Sequence, residues 1–314
     1  VSELVFFAVA GFLVGSLLGS FLNVCIVRVP RGESVVAPRS HCMACGRLVR
    51  WYDNLPVLSW LVLRGKCREC GVGISWRYPV VELAVGLWFM RLALILWGAF
   101  SPYAVARRYH AYPAEFYWFE VIAEAILGWL LIGLITIDWE WQRLPDAFTL
   151  SGIAIGMFLV CLQAVFLGPT DDQVVLNSAK QLRLSSPGSF AARGNVFLTG
   201  PEALIFGRLA AVCGAALILL LIRWGYKALR GREGLGLGDV KMLAMVAAFL
   251  GFWPAVLTLF IGVILASAYA VVLIVRGKAG AATRLPLGSF LGVSGLVAAL
   301  FGDRIIWWYR GLLG

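Results

Sequence analysis

Apolar runs long enough to cross a bilayer recur along the whole chain, at roughly 4–27, 80–100, 118–137, 147–167, 203–223, 239–252, 254–275 and 286–302. A spanning helix needs about 20 predominantly apolar residues, and in lipid the helix satisfies every backbone polar group within its own segment. The expected fold is therefore an all-α polytopic membrane protein with about eight transmembrane helices. Composition agrees, since 61% of the residues are hydrophobic and only 14% charged, far from the balance of a soluble globular domain. The run 239–252 is short, so its polar start is expected in a water-accessible cavity rather than in lipid. The first run has no small-residue cleavage site and is too long for a signal h-region, and reads as a retained helix.

Charge orients the runs. If residues 28–79 and every second connection after them face the cytosol, that side holds eighteen Lys and Arg against seven outside, with Arg91 and Arg208 left within helices. Lys and Arg accumulate on the cytosolic side of membrane proteins, so the net charge of +10 reads mostly as a topology signal. A basic cytosolic face also attracts anionic headgroups. The basic residues form no recognisable reader motif, so no nucleic-acid partner is expected. The outer segment 168–202 is polar and aperiodic and reads as an irregular loop without chemistry of its own.

Four of the seven cysteines form two Cys-x-x-Cys pairs, Cys42 with Cys45 and Cys67 with Cys70. Two such knuckles at this spacing fit tetrahedral zinc bound by four thiolates. Gly46 and Gly71 follow each second cysteine, where the turn around the sulfur needs a small residue. A reducing compartment disfavours two disulfides instead. A closed four-cysteine site has no position open for water, so this zinc would hold a loop domain together and not catalyse. Cys25, Cys161 and Cys213 lie in apolar runs and read as small core residues.

Carboxylates at membrane depth are costly and mark functional sites by default. Asp239 stands at the mouth of an apolar run behind Gly234, Gly236 and Gly238, and Asp138 ends the run Ile132 to Ile137. The glycines let another backbone approach the carboxylate. Asp239 has a bland reading as a helix cap, whereas Asp138 at a helix C-terminus opposes the dipole. Pro145 starts the next helix, which makes Asp146 its ordinary first-turn acid. Glu140 is expected in the headgroup zone, and Lys241 snorkels, anchors a phosphate or balances the carboxylates. Two carboxylates sharing one proton suit peptide hydrolysis: one takes a proton from water while the other protonates the carbonyl oxygen.

These residues carry a resemblance. Gly15 to Val24 with Arg28-Val29-Pro30, the cysteine loop through Asn54 to Trp60 and Ile74 to Glu82, Asp138, Glu233 to Met242, and Leu285 to Phe290 are similar to the bacterial type IV prepilin peptidases over nearly the whole chain. The Gly-x-Gly-Asp element alone is shared with presenilin-like and archaeal preflagellin peptidases; the cysteine loop narrows the match. Met43 stands where the first knuckle often carries proline, and the loop 168–202 is longer than the family pattern.

The resemblance implies a membrane aspartyl peptidase with Asp138 and Asp239 as its catalytic pair. It would cut prepilins or pseudopilins of type IV pilus and type II secretion systems at the cytosolic edge of the inner membrane. It would then methylate the new N-terminus from S-adenosylmethionine. Three divisions follow: a first helix 1–27, a zinc loop 28–79 that with it forms the methyltransferase part, and a peptidase domain 80–314. No Gly-x-Gly-x-x-Gly fingerprint opens a strand–helix unit, so the methyl donor must be held otherwise. Asn23, Arg77, Tyr78 and Glu82 are the candidate contacts, although Glu82 is equally readable as a structural partner of Arg77. Two other classes compete. A proton or cation transporter would carry acids deep in several helices, whereas here they cluster at one edge; a zinc-loop scaffold would leave both aspartates dispensable. A peptidase that has lost methylation is a narrower variant.

Overall fold

The computed structural model describes residues 2–100, 114–166, 201–231, 235–277 and 285–313. Of the expected loop 168–202, residues 168–200 lie outside the described residues while Pro201 and Glu202 already begin a helix; Glu233, Gly234 and the basic residues at 107, 108, 180, 183, 193, 232, 278 and 284 also lie outside. The helices are α1 (Ser2–Arg28), α2 (Leu58–Val62), α3 (Arg77–Phe100), α4 (Ala114–Trp141), α5 (Asp146–Phe166), α6 (Pro201–Arg230), α7 (Leu237–Leu250), α8 (Phe252–Val275) and α9 (Leu287–Leu313). No strand occurs among the described residues; only two isolated bridges do, His41 with Leu48 and Lys66 with Gly73.

All eight expected runs are helical, and seven of the helices are long and apolar enough to cross a membrane. The eighth, α7, has 14 residues and so a length of about 21 Å, short of the ~30 Å hydrocarbon layer. The expected count of about eight crossings is thereby corrected to seven candidate spans among the described residues.

Contacts divide the chain into two compact units, Val1–Pro145 with Gly288–Val293, and Asp146–Leu287 with Ser294–Gly314. In the first unit α1 lies along α3, and α4 packs on both. Gly11, Gly15 and Gly19 form the α1 face of that contact. A Cβ on Gly15 would sit 2.6 Å from the Val85 carbonyl oxygen, and one on Gly19 would sit 2.8 Å from the Glu82 Cα. Small residues four apart let membrane helices approach backbone to backbone, and here they bring α1 against α3. Trp129 Nε1 donates to the Leu18 carbonyl at 3.1 Å and Trp88 Nε1 to the Glu124 carbonyl at 2.9 Å, tying α4 to both neighbours. Arg91, charged within a span, pairs with Glu124 at 2.5 Å and lies over the Trp88 ring.

In the second unit α7 is the central helix, packed by α5, α6 and α8. Eight consecutive residues show the effect: from Met242 to Phe249 every residue is buried, and so is Asp239. Arg208 of α6 donates to the Phe249 carbonyl at 3.1 Å, placing a cation on one of the orphan carbonyls at the C-terminus of α7. Cys25 is buried as expected, but Cys161 is half-buried and Cys213 exposed. An apolar run in a membrane protein faces lipid as readily as protein, so apolarity did not imply a core position.

Candidate functional site

The cysteine loop of the first unit brings all four predicted thiols together, with their sulfurs within 4.8 Å of one another. Cys42 Sγ and Cys70 Sγ are 3.8 Å apart. Tetrahedral zinc with bonds of about 2.3 Å requires sulfurs about 3.8 Å apart, so the donor set fits that geometry. The two knuckles are near copies of each other, a short structural repeat. In each, the first cysteine donates its N–H five residues on, to Arg47 or Val72, and its carbonyl accepts from Gly46 or Gly71 at 2.8 or 2.9 Å. Gly46 and Gly71 have φ of +69° and +70°, with nothing within 4 Å of a hypothetical Cβ. Glycine is therefore required for backbone conformation and not for room. Backbone N–H groups of Cys45 and Ala44 pull the Cys42 thiol down to about 6. At Cys70 the Val72 N–H lowers the value, but burial and the neighbouring sulfurs push it up to about 11. Around the cluster, Arg47 and Arg50 bind Glu69, and Arg68 binds Asp53.

The four methyl-donor candidates separate into two groups. Asn23, Tyr78 and Glu82 line a cavity of about 530 Å³ between the end of α1, the cysteine loop and the start of α3. Arg77 is not among its lining residues; it pairs with Glu140 at 2.5 Å and lies over the Tyr78 ring. This corrects two readings. Glu82 is not the partner of Arg77, because one turn of helix points the two side chains at different neighbours, and Glu140 has an ion pair rather than only headgroups. Glu82 accepts from the Val57 N–H at 2.7 Å, with Ser20 and Asn23 also in hydrogen-bonding reach. Val57 sits at φ 60° in a tight turn closed by Leu58 N–H to the Pro56 carbonyl. That conformation is strained for a β-branched residue, and it aims the N–H at the carboxylate.

Asp138 lies three residues before the end of α4 and is buried. Its Oδ2 accepts from the Ser289 N–H at 2.7 Å, and the single hydroxyl hydrogen of Ser289 is shared between that Oδ2 at 3.1 Å and the Ile135 carbonyl at 3.0 Å. Ser289 stands in the first turn of α9, so Asp138 takes one of the orphan N–H groups at the positive end of a helix. The dipole of its own helix opposes Asp138, and the start of α9 supplies the opposite pole. Gly288 makes room, because a Cβ there would lie 2.9 Å from the Asp138 carboxyl carbon. Gly288 and Ser289 were visible only as part of the Leu285 to Phe290 stretch, with no role attached.

Asp239, in the second unit, is the third residue of α7 and accepts from the Gly236 N–H at 3.2 Å. It thus performs the capping role weighed against it, from a buried position. Lys241 Nζ binds Asp146 Oδ1 at 2.6 Å, which settles its pairing on the first-turn acid of α5.

Comparison with known proteins identifies the family. Residues 13–96 match the Bacterial Peptidase A24 N-terminal domain and residues 188–271 the Type IV leader peptidase family. Asp239 falls inside the second match, and Asp138 lies between the two. The chain is 30% identical to the prepilin leader peptidase/N-methyltransferase of Stutzerimonas stutzeri, covering 95% of this chain and 92% of that one. With the protein of the same name from Dichelobacter nodosus it shares 32% identity, over 97% of this chain and 96% of the other. With that of Myxococcus xanthus it shares 34% over 88% of this chain and 66% of the longer relative. No solved structure matches the chain. Matched in each half by models of one peptidase group and nearly end to end by its curated members, the chain belongs to the type IV leader peptidase family.

Proposed function

We propose that this chain is a multi-pass membrane aspartyl peptidase that removes the leader of type IV prepilins or pseudopilins and methylates the N-terminus so exposed. Its relatives carry both activities in their name. The observation that carries the peptidase half is Asp138: a buried carboxylate, without an ion-pair partner among the described residues, held by a helix-terminal N–H and a hydroxyl. A carboxylate so fixed keeps its orientation while its Oδ1 remains available for a water or a carbonyl. Asp138 and Asp239 act as the acid–base pair, one taking the proton of the attacking water and the other protonating the scissile carbonyl oxygen.

In this reading Cys42, Cys45, Cys67 and Cys70 hold Zn²⁺ as a closed structural site, and the loop 28–79 with the first helix forms the methyltransferase part, leaving 80–314 to the peptidase. S-adenosylmethionine, when bound, supplies an electrophilic methyl group. The cavity walled by Asn23, Tyr78 and Glu82 has the volume and the mix of apolar and polar lining of a small-molecule site. The excess of basic residues beside that loop orients it to the cytosol of a bacterial inner membrane, where the basic leader of a pilus or type II secretion substrate lies.

The test uses purified protein in detergent or liposomes with a prepilin and S-adenosylmethionine, read by mass spectrometry. The wild type yields a cleaved, methylated product, and Asp138→Asn and Asp239→Asn each yield none while keeping their zinc. Cleavage at the wild-type rate in either variant would sink the mechanism.

A further inference from the structure

The cavity of the first unit has an unbalanced floor. Asn23 and Glu82 are both more than nine-tenths buried. The Asn23 amide is oriented by its Nδ2–H, which donates to the Tyr78 carbonyl at 3.0 Å; that partner can only accept, so the amide oxygen points elsewhere. Asn23 Oδ1 has no hydrogen-bond partner. Beside it stands the Glu82 carboxylate, bonded by the Val57 N–H and reached by Ser20 and Asn23, but by no cation among the described residues. The guanidinium groups lining the same cavity are already engaged. Arg28 donates to the Ser34 and Pro38 carbonyls, Arg47 and Arg50 bind Glu69, and Arg68 binds Asp53.

A buried acceptor without a donor and a buried anion without a cation are both costly. One ligand group relieves both: a primary ammonium, which brings three donors and a positive charge. We infer that Asn23 Oδ1 and Glu82 form a seat for a primary ammonium group at the floor of this cavity. The inference rests on the methyltransferase half of the function proposed above. Two molecules in that reaction offer such a group: the methyl donor, through the amine of its amino-acid end, and the cleaved substrate, through its new N-terminal amine. Tyr78, whose carbonyl fixes the Asn23 amide, then acts as a positioning residue for the seat.

The test uses the zinc-loaded full-length protein in detergent and two probes of the donor site, S-adenosylhomocysteine, which has the amine, and 5′-methylthioadenosine, which lacks it. Glu82→Gln keeps a carbonyl for the Val57 N–H but removes the charge; Asn23→Ala is the second variant, and zinc content and the thermal transition monitor folding. Hydrogen bonds to a charged group support an effect of about tenfold to a hundredfold. A loss of that size for S-adenosylhomocysteine, with 5′-methylthioadenosine binding as in the wild type, assigns the seat to the donor. Unchanged affinity for both nucleosides, with a KM for methylation of a cleaved peptide raised by that factor, assigns it to the substrate amine. Wild-type values throughout, or an equal loss for both nucleosides, would overturn the seat while leaving the methyltransferase reading intact. A wild type that neither binds S-adenosylhomocysteine nor methylates a cleaved peptide would remove that reading and the seat with it.

Discussion

Asp138 and Glu82 are both buried carboxylates at helix ends, and their neighbours differ in kind. Asp138 is held by a helix-terminal N–H and a hydroxyl of Ser289, and Gly288 leaves just enough room for it. Removing the hydroxyl leaves the backbone bond, so Ser289→Ala is expected to lower kcat for prepilin cleavage about tenfold, the worth of one hydrogen bond to a charged group. A Cβ at Gly288 would crowd the carboxylate itself. Gly288→Ala is therefore expected to cost at least as much, through misplacement of Asp138. Steady-state kinetics on both variants checks the order, and an inactive Ser289→Ala beside an active Gly288→Ala would contradict it. Glu82 by contrast is held by the strained turn at Val57, which joins the cysteine loop to α3 and makes that residue part of how the loop docks.

Among the elements, the knuckles and the α1–α3 pair each show glycine serving a different purpose. Gly46 and Gly71 supply a left-handed turn in open space, while Gly15 and Gly19 supply close approach in ordinary helix. Gly46→Ala should thus weaken the zinc loop by about 1–2 kcal/mol, the cost of a left-handed non-glycine residue. Zinc would then be surrendered to a chromophoric chelator at roughly tenfold lower chelator concentration. Gly73→Ala is the control: nothing lies within 4 Å of its Cβ and its φ is not positive, so its chelation curve should overlay the wild type. The glycine face also explains why the cavity forms where it does. Gly11, Gly15, Gly19 and Asn23 recur every four residues, so the face that lets α1 approach α3 carries Asn23 to Tyr78 and Glu82.

At the level of the whole molecule, the second unit is organised around a short buried helix, with Asp239 and Lys241 in its opening turns. Lys241 pairs with Asp146, and the side chains are 33% and 60% exposed. A pair that open to solvent contributes no more than about 1 kcal/mol. Asp146→Asn and Lys241→Met are therefore expected to behave alike, with small, salt-sensitive shifts in thermal unfolding and near-normal cleavage. A collapse of cleavage in Lys241→Met alone would instead make Lys241 the counter-charge of a catalytic acid. The helical runs, the four thiols, the short α7 and the two aspartates were all legible in the sequence, because hydrophobic length, Cys-x-x-Cys spacing and misplaced charge are local signals. What each side chain touches was not. The partners of Asp138, Glu82, Arg77 and Lys241 lie 25 to 151 residues away along the chain, and no local period encodes a meeting of that kind. The sequence by itself determined which segments are helices, which cysteines can share a metal and which acids stand at membrane helix ends. Tertiary structure alone decided that the start of α9 holds Asp138, that Arg77 turns to Glu140 rather than Glu82, and that Asn23 and Glu82 meet at one cavity floor. Helix packing fixes such contacts through the shape of whole faces, and a pairing across turns of different helices leaves no trace in either segment taken alone.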